Sequence, residues 1–519
     1  MTYLSPAPVR FVQSLIWAVV VWTALQLPVI QQSFVGAPDK VGLQNVLQLQ
    51  RNLVGGDATP VAVVDFGDGD WLAAAARKAP AAPAPAVEAA DPAQPTPPPE
   101  TGTPVAQAAE TYVPEQNVPL YVPRQALAEV LDFLAGSGAV AVFVDVDTSY
   151  APSPQDDRLF ADAIARWRAR PDAPLLTLAR TNWVTPSIFA RNGMEEPGPN
   201  DRIVEGTVRI WSDAEQVVDN VEYWTCEGAA GARQPRASVT LYLAAAARFD
   251  DGLKGKQAVS DALARVPCDR RPRTLTLDVP GGDMAFPAQD GPIHYHLDLN
   301  RLDDGSWSAP RWPPATLRPS AAARCGQDTR AAAALLRVSD LLAGLDEGGV
   351  STSALCGGVV VVGASAEIVR DIHPTPYGDM PGAFILANAA RGLDLSGPLR
   401  RYPYFVGLGL VAVISIVVFL VHDTIYRWSN RFLMRPRRTT AGKAARWVVD
   451  KVTHPLTFSF LITNLLFLVG LVLTFFMIRD GYWGVFAASA LAASLSNAFD
   501  DVSGMRKVLL APKDLEETT

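Results

Sequence analysis

Long uncharged runs and short alternating ones divide this chain unevenly. A helix needs roughly 20 mainly apolar residues to cross the hydrocarbon of a bilayer. Four stretches approach that length, at 11–30, 404–421, 456–478 and 482–499, and predict four transmembrane helices. The first also fits a secretory leader with Val35-Gly36-Ala37 as its cleavage site, but no basic cluster precedes it and it exceeds the usual leader core, so an uncleaved anchor is expected. The fourth is short and rich in Ala and Ser, and a re-entrant segment is its alternative.

Residues 31–403 carry the pattern of a folded domain. Leu43, Val46, Leu47 and Leu49 mark an amphipathic helix over 41–54, ended by Gly55-Gly56. VAVVDFGDGDW (61–71) reads as a buried strand running into an acidic loop, whereas 79–116, dominated by Ala and Pro, reads as a disordered or polyproline insertion. Helix returns at 124–134, where Leu127, Val130, Leu131 and Leu134 share a face, and leads into the apolar strand AVAVFVDVD (139–147). A helix over 157–168 and the strand LLTLA (175–179) follow. Strands apolar throughout, alternating with helices, predict a largely parallel sheet covered on both faces. SVTLYLA (238–244), TLTLDV (274–279) and HYHLDL (294–299) alternate instead, as strands with one solvated face do. A helix over 338–345, the strand and turn GGVVVVGAS (357–365) and a helix over 382–393 complete the domain. The fold class is thus an α/β extracytoplasmic domain with a mixed, largely buried sheet, plus four transmembrane α-helices.

Charge orients this arrangement. In the loop 422–455, Arg427, Arg431, Arg435, Arg437, Arg438, Lys443, Arg446 and Lys451 face only Asp423 and Asp450, which marks the loop as cytoplasmic. Residues 1–10 and the tail 500–519 then lie inside, and 31–403 and the hairpin 479–481 outside, in a bacterial periplasm. A composition 49% hydrophobic and 19% charged, with mean hydropathy +0.12, is too apolar for an ordinary secreted protein and too charged for a pure transporter. The net charge of −8 argues against nucleic acid as a partner. All four cysteines, Cys226, Cys268, Cys325 and Cys356, fall in the outer region, as disulfides in an oxidising compartment would. Three connectivities are possible and adjacent pairing is expected.

The closing stretch, LRVSDLLAG (336–344) and then GGVVVVGASAEIVRDIHPTPYGDMPGAFILANAARGL (357–393), resembles the second class of the CHASE domains, extracytoplasmic sensory domains associated with bacterial cyclases and histidine kinases. VAVVDFGDGDW and AVAVFVDVDTSYAPSPQDDRLFADAIA (139–165) are similar to that family's earlier strands, and three membrane helices after the domain match its habit. The resemblance covers about 31–500. The Pro-rich insertion, the poorly matched 250–335 and the lack of a cyclase, kinase or diguanylate-cyclase domain before Thr519 depart from it. It implies a sensor whose output is a separate polypeptide.

Candidate chemistry gathers at strand ends. Asp145 and Asp147, two apart on one strand, project from one face at its carboxyl end, where open α/β sheets bind ligands. Asp65 occupies the same place on the first strand, and Gly363, Ser365, Asp371 and His373 follow the last. Together they fit a cleft for a cation or polar ligand, or else a set of loop-capping hydrogen bonds. His294 and His296 share a face but read as surface residues, Asn388 as a residue that satisfies backbone, and no metal site or cofactor is expected. With no G-x-S-x-G, P-loop, G-x-G-x-x-G or HExxH, no enzymatic activity is expected. The functional expectation is an inner-membrane sensor or scaffold subunit that binds a small molecule or protein outside and relays it through its membrane helices. Membrane lipids, a separate output or envelope-complex protein and a second copy are the expected partners. The alternative is a structural component of an envelope complex with no small-molecule ligand.

Overall fold

The computed structural model describes residues 59–66, most of 122–341, 355–365, most of 371–401, isolated helical residues between 409 and 431, and Tyr482–Trp483. Its centre is a six-stranded sheet in the order β16 (Ala333–Arg337), β1 (Val61–Asp65), β17 (Val359–Gly363), β2 (Ala141–Asp147), β3 (Leu175–Ala179) and β4 (Ile203–Gly206). Every neighbouring pair is parallel, so this sheet is parallel rather than mixed, and antiparallel pairing is confined to small ladders outside it. The continuous apolar runs explain why: in β17, Val360 and Val362 enter one core while Val359 and Val361 enter the other. A strand buried on both faces has no polar side to spare.

Helices α1 (Arg124–Leu134) and α2 (Pro154–Arg168) cover one face. The start of α2 lies three residues before the expected one, because Ser153 caps it by accepting the Asp156 N–H and Pro154 fits its first turn. After the short α3 (Ile188–Arg191), α4 (Val239–Phe249) and α5 (Gly252–Ala264) cover the other face. This corrects one expectation. SVTLYLA forms the start of a helix, capped by Ser238 and continued by the alanines at 244–247, all of it buried. Alternation over seven residues yielded to a cap, a helix-forming run and a core that swallows every side. TLTLDV does hold a strand, β9 (Leu275–Leu277), paired with β10 (Met284–Phe286).

The α4–α5 hairpin is close-packed. A Cβ on Gly255 would lie 2.4 Å from the Ala246 nitrogen, and one on Gly252 2.4 Å from the Leu175 Cβ. Lys256, 4% exposed, donates from Nζ to the carbonyls of Gly198, Asp201 and Ile203 at 2.6, 2.7 and 2.9 Å, and so closes the loop that leads into β4.

Smaller ladders hang on this frame: β5 (Ile210–Ser212), β6 (Val218–Glu222) and β11 (Asp290–Pro292) in one, and β7 (Trp224–Glu227) with β8 (Gln234–Ala237) in another. The pairs β12 (Asn300–Arg301) with β13 (Trp307–Ser308), and β14 (Pro314–Thr316) with β15 (Thr329–Ala331), precede β16. Disulfides join Cys226 to Cys268 and Cys325 to Cys356, the adjacent pairing. The second staples helix α6 (Pro319–Cys325) to the residues before β17.

After β18 (Ile372–Thr375) and β19 (Gly378–Pro381), the last helix, α7 (Gly382–Ser396), packs on β17, β1 and α4. Its Asp394, 3% exposed, accepts the Thr59 N–H at 2.9 Å and Arg318 Nη2 at 2.6 Å, with Arg248 Nε at 3.5 Å. Arg391 Nη1 donates to the Thr59 carbonyl at 2.9 Å. The strand that opens the domain and the helix that ends it are thereby tied together.

Beyond α7, β20 (Arg400–Arg401) pairs in parallel with β21 (Tyr482–Trp483). Gly409, Val413, Leu420, Thr424, Trp428 and Arg431 are helical and exposed, at intervals of three, four or seven residues. Among the described residues no helix is long and apolar enough to cross a membrane. The expected spans at 11–30, 456–478 and 482–499 lie outside the described residues apart from Tyr482 and Trp483, as does 404–421 apart from Gly409, Val413 and Leu420. The expected helix at 41–54, the insertion at 79–116, the basic loop other than Thr424, Trp428 and Arg431, and His294 and His296 also lie outside them.

Lys256→Met removes three hydrogen bonds from one buried ammonium, at a cost of about 2 kcal/mol. The urea midpoint of the full chain is expected to fall accordingly, and an unchanged midpoint would refute this role for the loop clamp.

Candidate functional site

The parallel register brings three strand ends side by side. Asp65 pairs with Gly363, and Val144 pairs with Val362, so Asp145 flanks Gly363 on its other side. Odd positions of these strands, Val61 and Val63, Val359 and Val361, Ala141 and Phe143, face the α4 and α7 core. Two carboxylates with a bare glycine between them therefore point toward α7. The glycine is required by a neighbouring helix: a Cβ on Gly363 would lie 2.4 Å from the Ala383 Cβ in the first turn of α7.

Each carboxylate has a different fate. Asp65 is buried, and the N–H and hydroxyl of Ser365 donate to its two oxygens at 2.8 and 2.5 Å, which fixes the turn after β17 to the end of β1. Asp145 is half-buried as a residue, yet burial first, and the Asp371 carboxylate second, push its carboxyl well above the usual carboxylate range. Asp371 lies against α7, where the Gly382 N–H donates to its carbonyl at 2.9 Å. A Cβ on Gly382 would lie 2.5 Å from Asp371 Oδ2. His373 Nε2 is 2.9 Å from Asp371 Oδ1.

Asp147 goes elsewhere. The register of β2 against β3 shifts between Val144 and Asp147, and the Ser149 N–H, the Thr181 N–H and the Thr181 hydroxyl all donate to the Asp147 carboxylate. This is the loop-capping role. The structure thus gathers Asp65, Asp145, Gly363, Ser365, Asp371 and His373 around the start of α7, and turns Asp147 toward the loop after β3. Within α7, Asn388 is buried and donates to the Phe384 carbonyl at 3.0 Å, the backbone role expected of it.

Two groups at this end of the sheet were not expected. Arg124, 2% exposed, stands over the Phe160 ring at 4.9 Å and reaches the Asp147 carbonyl at 3.5 Å, while burial lowers its pKa to about 10. Its signal was present in the sequence, since Arg124 shares the apolar stripe of Leu127, Leu131 and Leu134, where a cation is out of place. Beside β3, Arg180 and Arg236 lie over the Trp183 ring at 4.5 and 4.3 Å, and Arg180 pairs with Glu205 at 2.6 Å. Nothing in the spacing of these four residues announces the stack.

Chemically, the arrangement at α7 offers carboxyls that exchange protons and accept hydrogen bonds. Among the described residues no group of three or more His, Cys, Asp or Glu side chains is placed to hold a metal ion.

The family model described as the CHASE2 domain matches residues 108–421. No curated protein and no solved structure matches the chain. The match begins after β1, although β1 lies inside the sheet between β16 and β17.

Gly363→Ala separates the two reasons for a glycine here. If α7 demands it, the added methyl must displace the helix and cost about 1–3 kcal/mol in urea unfolding of the full chain. A change within the error of the measurement would mean that the space above Gly363 is not taken by Ala383.

Proposed function

The chain belongs to the CHASE2 domain family, whose domains are extracellular sensors, and from that premise we propose that it is an inner-membrane sensor subunit relaying a periplasmic signal through α7 to its membrane helices. The observation that carries this reading is that α7 is held at both ends. Its first turn sits on Gly363 among the strand-end carboxyls, and its last turn carries the Asp394 cluster, six residues before β20. A shift at the carboxyl end of the sheet is therefore passed along a helix that is buried for most of its length. The pairing of β20 with β21 supports an outer location for both the connector before 404–421 and the turn between 456–478 and 482–499. Exposed Val413 and Leu420 fit a lipid-facing helix surface. The signal is handed on to its output through the basic loop.

A scaffold reading has one observation in its favour: Asp65 and Asp147 spend their carboxylates on Ser365, Ser149 and Thr181. A docking domain needs such loop locks and no ligand.

Every cysteine is disulfide-bonded, so a single introduced thiol labels cleanly. In proteoliposomes, a spin label at Ala444→Cys in the basic loop is expected to change its spectrum when Gly363→Ala displaces α7. An identical spectrum in a folded double variant would refute the relay and leave the scaffold. In spheroplasts, Arg158→Cys on the exposed face of α2 is expected to react with a membrane-impermeant thiol reagent and Ala444→Cys to stay unlabelled; the reverse pattern would overturn the orientation.

A further inference from the structure

Three strand-end carboxyls and the α7 first turn share one small space. Asp65 has both carboxylate oxygens engaged by Ser365. Asp145 and Asp371 both lie close to the first turn of α7. The contacts that place them are Gly363, whose Cβ would touch both Ala383 and Asp145, and Gly382, whose Cβ would touch the Asp371 carboxylate. Few charges face the pair. The first turn of α7 is Gly-Ala-Phe-Ile, β17 contributes Gly363, and the stretch of α4 from Val239 to Ala247 is uncharged. On β2 itself, Asp147 is turned away to Thr181. On β18 and β19 the titratable side chains are His373, in contact with Asp371, and Asp379, opposite Pro374. Arg337 ends β16 in register with Asp65, and His373 is the basic side chain in contact with Asp371 among the described residues.

We infer that Asp145 and Asp371 form a proton-operated latch on α7: one proton held by the pair lets the first turn seat on Gly363, and its loss as pH rises sets two carboxylates against each other across that turn. The direction of the Asp145 perturbation agrees. A carboxyl whose folded-state pKa is raised contributes stability that is present below its unfolded pKa and lost as pH rises through the folded one. The latch deepens the sensor reading by making the proton the input, and it rests on that reading only for its downstream consequence.

Infrared difference spectra of the full chain, taken between about pH 5 and about pH 8, read the proton directly. The wild type is expected to lose a protonated-carboxyl band above the ordinary carboxylate range, and Asp145→Asn to lack that band. Asp371→Asn, which removes the facing charge, is expected to move the titration to lower pH, so a poorly folding Asp145→Asn leaves the test intact. The urea midpoint should fall with pH in the wild type and lose that slope in Asp145→Asn. A band that titrates in the ordinary range, or survives Asp145→Asn, overturns the latch. If the band behaves as expected but the label at Ala444→Cys ignores pH, the latch stands and the relay fails.

Discussion

One buried carboxylate sets the geometry of the domain. Asp394 is removed from water near the end of α7, and burying a charge is tolerable only when it is paired and hydrogen-bonded. Its partners come from the start of β1, from Arg318 just before α6 and from Arg248 at the end of α4. Thr59 and Asp394 are 335 residues apart in sequence, so their bond is a closure that the whole intervening fold must permit. Removing any partner leaves charge behind, and the two ends of the domain are held to one another because of it.

From that closure the placement of α7 follows. Pinned at its carboxyl end, the helix lies along β17 and β1, and its first turn arrives at the strand ends that carry Asp65 and Asp145. Small residues make the approach possible: Gly363 and Ala383 are in near-contact, and Gly382 leaves room for the Asp371 carboxylate. The region where a parallel sheet offers a ligand site is therefore partly filled by the helix that ends the domain. That arrangement puts the strand ends carrying Asp65 and Asp145 and the helix that ends the domain in the same contact.

Much of this was legible in the sequence because the core strands are apolar without interruption. VAVVD, LLTLA and VVVVG read as buried strands, and the helix at 124–134 announces itself by periodicity. SVTLYLA misled because seven alternating residues cannot say whether a core encloses one side or all. Asp145 and Asp147 looked like a pair because strand parity puts them on one face, but an irregularity in β2, invisible to parity, sends them to different loops. Lys256 and the Arg180–Trp183–Arg236 stack depend on partners far away in sequence, and no local pattern encodes them. The family match, starting at residue 108, also leaves out β1, whose apolar run marks it as a buried strand of the sheet.

The central claim is that β1, β17 and α7 behave as one body tied through Asp394. Native-state hydrogen exchange of the full chain in lipid nanodiscs tests it most directly, with Asp394→Asn as the comparison. The account predicts that amides of all three elements open together in the wild type, with one free energy and one denaturant dependence, and that Asp394→Asn lowers protection in β1 and α7 in step. Exchange in which α7 opens alone, while β1 and β17 stay protected, would contradict it.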